Sequence, residues 1–349
     1  MEPLLAASMQ LSTTILKLHP KTPFRISREA QTEVQNVIIK LSADGVVGYG
    51  EASPNKFYRE TADRVIELIE GLGGYFGGLR VDSVADIERV WNEVWPRLQP
   101  SRAAQCAVDI ALWDWLAKKK GISVCELALG RKPVPIVTSF TIGISTPEEL
   151  VHKVHELRNV PSVKVKSDAK GDLAPLRYIA ANTVAKLRVD ANCAWAELDA
   201  RALSAELTKL RTEFIEQPLP PDLREQMPDF LTQSVLPVLA DESCVVLEDV
   251  ERVPGYFHGF NIKLVKCGGL TPGLAMMRRG RELGLKTMVG CMLETSLLIA
   301  AGVVVAQGTD FADLDGAWLL ADDPFPGLCY EDGMVGVTGK LGLGVEARI

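Results

Sequence analysis

Charged side chains recur through the second half of this sequence at a spacing that lets one site gather them. In VKVK, Lys164 and Lys166 alternate with valines, so on a strand both ammonium groups project to the same side. Further along, Asp190 in RVDAN, Glu216 in IEQP, Asp241 in ADES and Lys263 in NIKLVKCGG each stand at or near the end of a short apolar run. Taken singly, these residues have plainer explanations. VKVK reads as a half-buried strand with its lysines in water, and a lone Asp190 or Asp241 reads as a turn or helix cap. Taken together, three converging carboxylates would repel one another unless a cation sat among them. Oxygen ligands on rigid strands, with room for water and substrate, suit Mg2+ first, Mn2+ next, and zinc poorly.

The order of the elements is what would bring these residues together. From about residue 135, the segments VTSFTIG, SVKVK, KLRVDAN, EFIEQP, PVLADES, GFNIKLVK, LKTMVGCM and DFADLDG alternate with helical stretches. Positions 166, 190, 216, 241 and 263 are 24, 26, 25 and 22 residues apart, and the next segments end near 291 and 315. About eight strand–helix units of this length predict an α/β fold, a (β/α)8-type barrel with its active site at the C-terminal ends of the strands. The dinucleotide-binding alternative lacks its fingerprint, because no GxGxxG follows a strand. Ahead of the barrel, QLSTTILKL and VQNVIIKLSADGVVGYGEASP read as strands, the second containing a hairpin turn at Ala43-Asp44-Gly45. Between them, HPKTPFRISREAQTE reads as a loop. Residues 60–120 read as helices, and SRAAQCAVDIALWDWLAKKKG carries a Ser101 cap and a Gly121 stop. The expected division is an N-terminal α+β capping domain over 1–130, a barrel domain with the active site over 131–320, and a C-terminal segment over 321–349 that packs back on the capping domain.

Composition narrows the setting. The 349 residues are 47% hydrophobic and 24% charged, typical of a globular protein with a substantial core. A net charge of −7 without a long basic run argues against nucleic acid as a partner. No uninterrupted apolar stretch reaches membrane-spanning length, so no membrane association is expected. Seven widely spaced cysteines with no CxxC pair fit reduced thiols. The start, MEPLLAASMQLSTTILKLHP, lacks a basic n-region and a cleavage site, which makes a cytoplasmic location the expectation.

KVK, RVDAN, IEQP, ADES and NIKLVKCGG, in this order and spacing, resemble the enolase superfamily in its muconate-lactonizing subgroup, and the resemblance covers almost the whole chain. SRAAQCAVDIALWDWLAKKKG resembles the family helix that joins capping domain to barrel, and DGVVGYGEASP resembles the capping-domain hairpin. The resemblance implies that Asp190, Glu216 and Asp241 bind Mg2+ and that Lys166 and Lys263 face each other across the substrate as acid/base groups. Lys266 competes with Lys263, but it has the opposite strand parity, and the family's base matches the lysine of NIK. The implied chemistry removes the proton α to a carboxylate, giving an enolate that the metal stabilises. A free lysine titrates near ~10.4, so Lys164 is expected to lower the pKa of Lys166 and to help hold the substrate carboxylate.

Two opposed lysines permit a 1,1-proton transfer, or a dehydration or cycloisomerisation that uses one of them. In FADLDG, Asp313 and Asp315 are expected on one side of strand eight, although locally they also read as a turn or cap. DLD matches the motif with which the subgroup's dipeptide epimerases hold the N-terminal ammonium. Thr141 and Cys291 match substrate contacts, Cys291 through its backbone, with a plain buried thiol as the other reading. The resemblance thus implies an isomerase, a dipeptide epimerase that inverts the α-carbon of the C-terminal residue and forms a homo-oligomer. The alternatives are an N-acyl amino acid racemase or o-succinylbenzoate synthase-type lyase or cycloisomerase of the same superfamily, and a non-catalytic binding protein on the same fold. Specificity is expected in HPKTPFRISREAQTE and ASPNKFYRE. There Glu29, beside Arg28, takes the place of an arginine that pairs with a glutamate side chain in some relatives, which leaves a neutral or basic side chain open.

Overall fold

The computed structural model describes residues 8–27 and 29–349. The chain begins with an antiparallel sheet of β1 (Gln10–Leu18), β2 (Val34–Ala43) and β3 (Val46–Ala52), in that spatial order. The β2–β3 turn contains Asp44 and Gly45, both with positive φ (54° and 74°). That is the backbone of a two-residue hairpin whose twist matches the strands. Three longer helices follow, α1 (Ala62–Glu70), α2 (Val84–Leu98) and α3 (Arg102–Lys120).

Helix α3 is the centre of this unit. The Ser101 side chain accepts the Ala104 N–H at its start, and Gly121 (φ 71°) closes its end on the Ala117 and Lys118 carbonyls. Residues 103–117 are all buried, so the helix is enclosed on every side instead of showing one apolar stripe. Room for it comes from two glycines of β3. A Cβ on Gly50 would lie 1.9 Å from the Ala107 carbonyl oxygen, and one on Gly48 would lie 2.3 Å from that of Ala111. The segment read as a loop between β1 and β2 contains a short two-stranded ladder, Phe24–Arg25 with Ala30–Gln31.

The barrel strands are, in chain order, Phe140–Ile142, Ser162–Lys166, Lys186–Asp190, Thr212–Glu216, Val238–Ala240, Gly259–Lys263, Lys286–Gly290 and Phe311–Asp313. Each runs parallel to the next in chain order. The ring is nearly closed, with the Ser139 N–H donating to the Ala312 carbonyl at 3.1 Å between its first and last strands. Register decides the level of the functional side chains. Lys166 lies opposite Asp190, and Asp190 opposite Glu216. Gly290 lies opposite both Lys263 and Asp313. One rim of the barrel therefore carries Lys166, Asp190, Glu216, Lys263 and Asp313 together.

Beyond the barrel, Leu328–Glu331 and Met334–Val337 form a hairpin that pairs with Ile136–Val137. The chain then returns to α3, where the Leu343 N–H donates to Asp114 Oδ1 at 2.9 Å. Among the described residues, no helix is long and apolar enough to cross a membrane. The seven cysteines are all free thiols.

Overpacking at the hairpin–helix contact sets a direct test. Gly50→Ala is expected to lower the unfolding free energy in urea by roughly 1–3 kcal/mol, the usual cost of forcing a methyl into a filled contact. Gly73→Ala, with no atom within 4 Å of the added Cβ, should stay within about 0.5 kcal/mol of the parent.

Candidate active site

Asp190 and Glu216 are the last residues of barrel strands three and four, and Asp241 directly follows strand five. Each is held by neighbouring polar groups. Asp190 Oδ1 accepts the Asn192 N–H at 2.9 Å. Glu216 Oε1 accepts the Asn261 amide at 2.8 Å. The Asp241 N–H donates to Gln217 Oε1 at 2.9 Å. A Cβ at position 290 would lie 2.7 Å from the Asn261 side chain, so Gly290 clears the space for that amide. One oxygen from each of the three carboxylates lies within 4.8 Å of the other two, and all three residues are buried. Glu216 Oε2 is buried and accepts no hydrogen bond, although Lys164 Nζ stands 2.7 Å away. Three converging carboxylate oxygens, one of them without a donor, make a ligand set for a hard divalent cation, and Mg2+ fits it.

Four lysines surround the triad. Lys166 Nζ donates to Asp190 Oδ2 at 2.7 Å, and Lys263 Nζ to Asp241 Oδ2 at 2.8 Å. Lys164 Nζ makes ion pairs with Asp190 (3.2 Å), Glu216 (2.7 Å) and Asp313 (2.8 Å). Lys266 donates to both the carboxylate and the backbone carbonyl of Asp241. It lies in a helical turn, Leu264–Cys267, beyond the end of the strand. Strand parity therefore does not apply to Lys266. What separates it from Lys263 is burial beneath Asp241, whereas Lys263 lines the cavity.

The protein's own charges set the ionisation of Lys263, Lys164 and the triad. Burial by itself lowers the Lys263 ammonium, but Asp241 overrides it and holds the group above its ordinary value. Lys164 is also held up, with Asp313, Glu216 and Asp190 overcoming burial. Burial, reinforced by the charge of Asp190, raises Glu216 to about 7. For Asp241, burial opposes ionisation, yet Lys263 and Lys266 keep it well below the usual carboxylate range. These carboxylates are the source of the field, so a divalent cation bound among them would turn it toward deprotonated lysine.

A cavity of about 880 Å3 opens above this layer. Thr141, Lys166, Asp241, Lys263, Cys291, Asp313 and Asp315 line its barrel side, and Glu29 lines its capping side. Lys164 is 1% exposed and lies below the cavity lining. Its ion pairs draw it to the carboxylates and away from the position expected for holding a substrate carboxylate. Asp313 ends strand eight, whereas Asp315 lies past it at the N-cap of a short helix, Gly316–Leu319, without a side-chain cap bond. Their shared orientation thus comes from the turn and not from strand alternation. Asp313 pairs with Lys164 and accepts Ser139 Oγ at 3.1 Å, while Asp315 accepts the Thr141 N–H at 2.6 Å. Burial, then the neighbouring charge of Asp313, pushes Asp315 up to about 7. The Cys291 thiol donates to the Asp313 carbonyl at 3.2 Å while also lining the cavity. Arg28 lies outside the described residues.

Two supporting residues escaped the sequence reading, Asn261 and Gln217. Asn261 is legible in retrospect, because the period of two that pairs Lys164 with Lys166 also pairs Asn261 with Lys263. Gln217, at φ 36°, gave no such signal.

Comparison with known proteins bears on this geometry. Residues 10–130 match the family described as mandelate racemase / muconate lactonizing enzyme, N-terminal domain, and residues 148–348 match enolase C-terminal domain-like proteins. The chain is 38% identical to an L-Ala-D/L-amino acid epimerase of Flavobacterium johnsoniae, over 97% of this chain and 99% of the relative. It is 32% identical to the L-Ala-D/L-Glu epimerase of Escherichia coli, over 89% and 94%. A crystal structure of a dipeptide epimerase from Enterococcus faecalis, in complex with Mg and the dipeptide L-Leu-L-Tyr, superposes with a TM-score of 0.88 at 28% identity, covering 97% of this chain and 99% of that one. With an acidic triad on a capped barrel and both of its domains matched, the chain belongs to the mandelate racemase / muconate lactonizing enzyme family of the enolase superfamily.

Proposed function

We propose that this protein is a Mg2+-dependent dipeptide epimerase, an isomerase that inverts the α-carbon of a dipeptide's C-terminal residue. The observation that carries this reading is the placement of charge around the ring. Strands two and six stand four places apart in a ring of eight, so Lys166 and Lys263 reach one cavity from opposite sides. The triad on strands three to five likewise stands across from the acids of strand eight. A dipeptide suits that plan, with its carboxylate toward the triad, its ammonium toward Asp313 and Asp315, and its α-carbon between the lysines. Relatives named as epimerases of L-Ala-containing dipeptides support the same reading. The proposal includes a cytoplasmic, homo-oligomeric enzyme, in keeping with seven free thiols.

Asp190, Glu216 and Asp241 would hold the metal, which supplies Lewis-acid stabilisation of the charge that builds on the substrate carboxylate. One lysine, deprotonated, takes the α-proton from its face. The other, protonated, returns a proton to the opposite face, which inverts the centre. Lys164, tied to three carboxylates, keeps Asp190, Glu216 and Asp313 in place under the site. Asp315 meets the ammonium with Thr141 fixing its orientation.

Three outcomes are expected. Mg2+ should raise the thermal unfolding midpoint as it binds, and Asp241→Asn should remove that shift, measured against the variant's own metal-free midpoint, which falls because Lys266 loses its carboxylate partner. A Mg2+ shift that persists in Asp241→Asn would place the metal elsewhere.

Replacing either lysine with alanine should abolish epimerisation but retain α-proton exchange in D2O for one stereoisomer. Lys166→Ala and Lys263→Ala should retain it for opposite stereoisomers, because each surviving base serves one face. Identical preferences would refute the paired roles.

Asp315→Asn should lower kcat/KM for a free dipeptide by about ten- to a hundredfold, the worth of a charged hydrogen bond, with little change for the N-acetylated substrate. Because Asp315 stands near 7, it is protonated below that pH and ionised above it. The parent's kcat/KM for the free dipeptide should therefore fall as pH drops through about 7. The acetylated substrate and Asp315→Asn should lack this contribution and keep only the acid limb that belongs to the lysine base. A zero coupling between mutation and acetylation would favour the N-acyl racemase instead.

A further inference from the structure

Two of the cavity's walls are accounted for by the substrate carboxylate and ammonium, and the third belongs to the capping domain. Phe24, Ile26 and Val34 of the capping domain, with Leu293 and Leu319 beside them from the barrel, give this wall an apolar surface, and Glu29, Gln31, Ser53, Asn55 and Tyr58 are its polar members. The side chain of the C-terminal residue, carried on the α-carbon between the two lysines, is the part of a dipeptide that this wall would meet. Gln31 Nε2 donates to Glu29 Oε1 at 2.9 Å. One N–H of the Gln31 amide is thus bound to Glu29, which leaves its second N–H and its carbonyl oxygen for a ligand. Glu29 is the one carboxylate that the described residues of the capping domain bring to this cavity, with the Gln31 carbonyl oxygen beside it as a second acceptor. Among the described residues Glu29 enters no ion pair, and its charge is half-buried beside the cavity.

We propose that the protein acts on dipeptides whose C-terminal residue carries a cation at the end of an apolar stem, lysine or arginine, with Glu29 as the specificity-determining residue. The inference rests on the epimerase reading above. The apolar wall packs the methylene stem, and Glu29 with the Gln31 carbonyl receives the ammonium or guanidinium. A glutamate side chain would instead set its carboxylate against that of Glu29, a like-charge contact that costs affinity.

The test compares kcat/KM for L-Ala-L-Lys, L-Ala-L-Met and L-Ala-L-Glu on the Mg2+-loaded parent, Glu29→Gln and Glu29→Arg. The parent should favour the lysine dipeptide over the methionine one by about tenfold, a single charged contact partly screened by solvent, and the glutamate dipeptide should rank last. Glu29→Gln should reduce the lysine-to-methionine ratio by about tenfold, and Glu29→Arg should raise the glutamate dipeptide above the lysine one. Ratios within one variant cancel any loss of folded protein. A parent that prefers methionine or glutamate, or a lysine-to-methionine ratio unmoved by Glu29→Gln, overturns this inference alone. Failure of all three dipeptides to epimerise or to exchange their α-proton in D2O overturns the epimerase reading, and this inference with it.

Discussion

Five carboxylates, Asp190, Glu216, Asp241, Asp313 and Asp315, share one end of the barrel with the ammonium groups of Lys164, Lys166, Lys263 and Lys266. None could remain there alone, since an unpaired buried charge costs several kcal/mol. Each persists because oppositely charged or hydrogen-bonding partners sit within about 3 Å, and the barrel register supplies those partners. With all nine groups ionised, they come to one negative in excess, and a divalent cation would convert that into one positive. The affinity of the rim for a metal, for a carboxylate-bearing substrate and for a deprotonated base are thus three aspects of one electrostatic balance. Altering any member shifts the ionisation of the others.

This balance also explains why the supporting residues are polar and buried. Asn261 and Gln217 carry no charge, yet they fix the rotamer of Glu216 and the backbone at Asp241. At the opposite end of the barrel interior, Arg188 donates to the Ala312 carbonyl and pairs with Glu213, tying strand three to strands four and eight below the site. Orienting groups of this kind allow a few ligands to hold one geometry.

The capping domain is joined to the barrel by buried carboxylates at its base. Glu51 accepts both the N–H and the hydroxyl of Thr295, the N-cap of a helix buried on every side, and Asp109 does the same with Thr271. The segment that overhangs the cavity is held by weaker means. Arg25 pairs with Glu149, a third exposed, and its carbonyl accepts the Ile144 N–H. The Ser27 hydroxyl adds a bond to the Asn192 carbonyl at 3.3 Å. An exposed pair contributes about 0–1 kcal/mol, less than the buried carboxylates at the base of the cap. That difference suits an enzyme whose substrate must enter beneath the cap.

The sequence by itself determined the element order, the barrel and the strand ends that carry Lys166, Asp190, Glu216, Asp241 and Lys263, because each depends on a local period, two along a strand and 22–28 residues between strand ends; the roles of these residues came from the family resemblance. Ser101 and Gly121 were equally legible, since a helix cap is a property of neighbouring residues. Only the tertiary structure decided which charges touch. Lys164 was read as facing the substrate, yet three carboxylates from strands three, four and eight draw it under the floor. Asp315 shares its neighbour's direction through a turn past the strand end, and Lys266 is separated from Lys263 by burial and not by parity. The Gln31–Glu29 contact at the capping wall depends on a short ladder within a segment whose composition reads as loop. Periodicity fixes where a side chain starts, but a long charged side chain ends where the summed field of distant residues is most favourable, and that field exists only once the ring has closed.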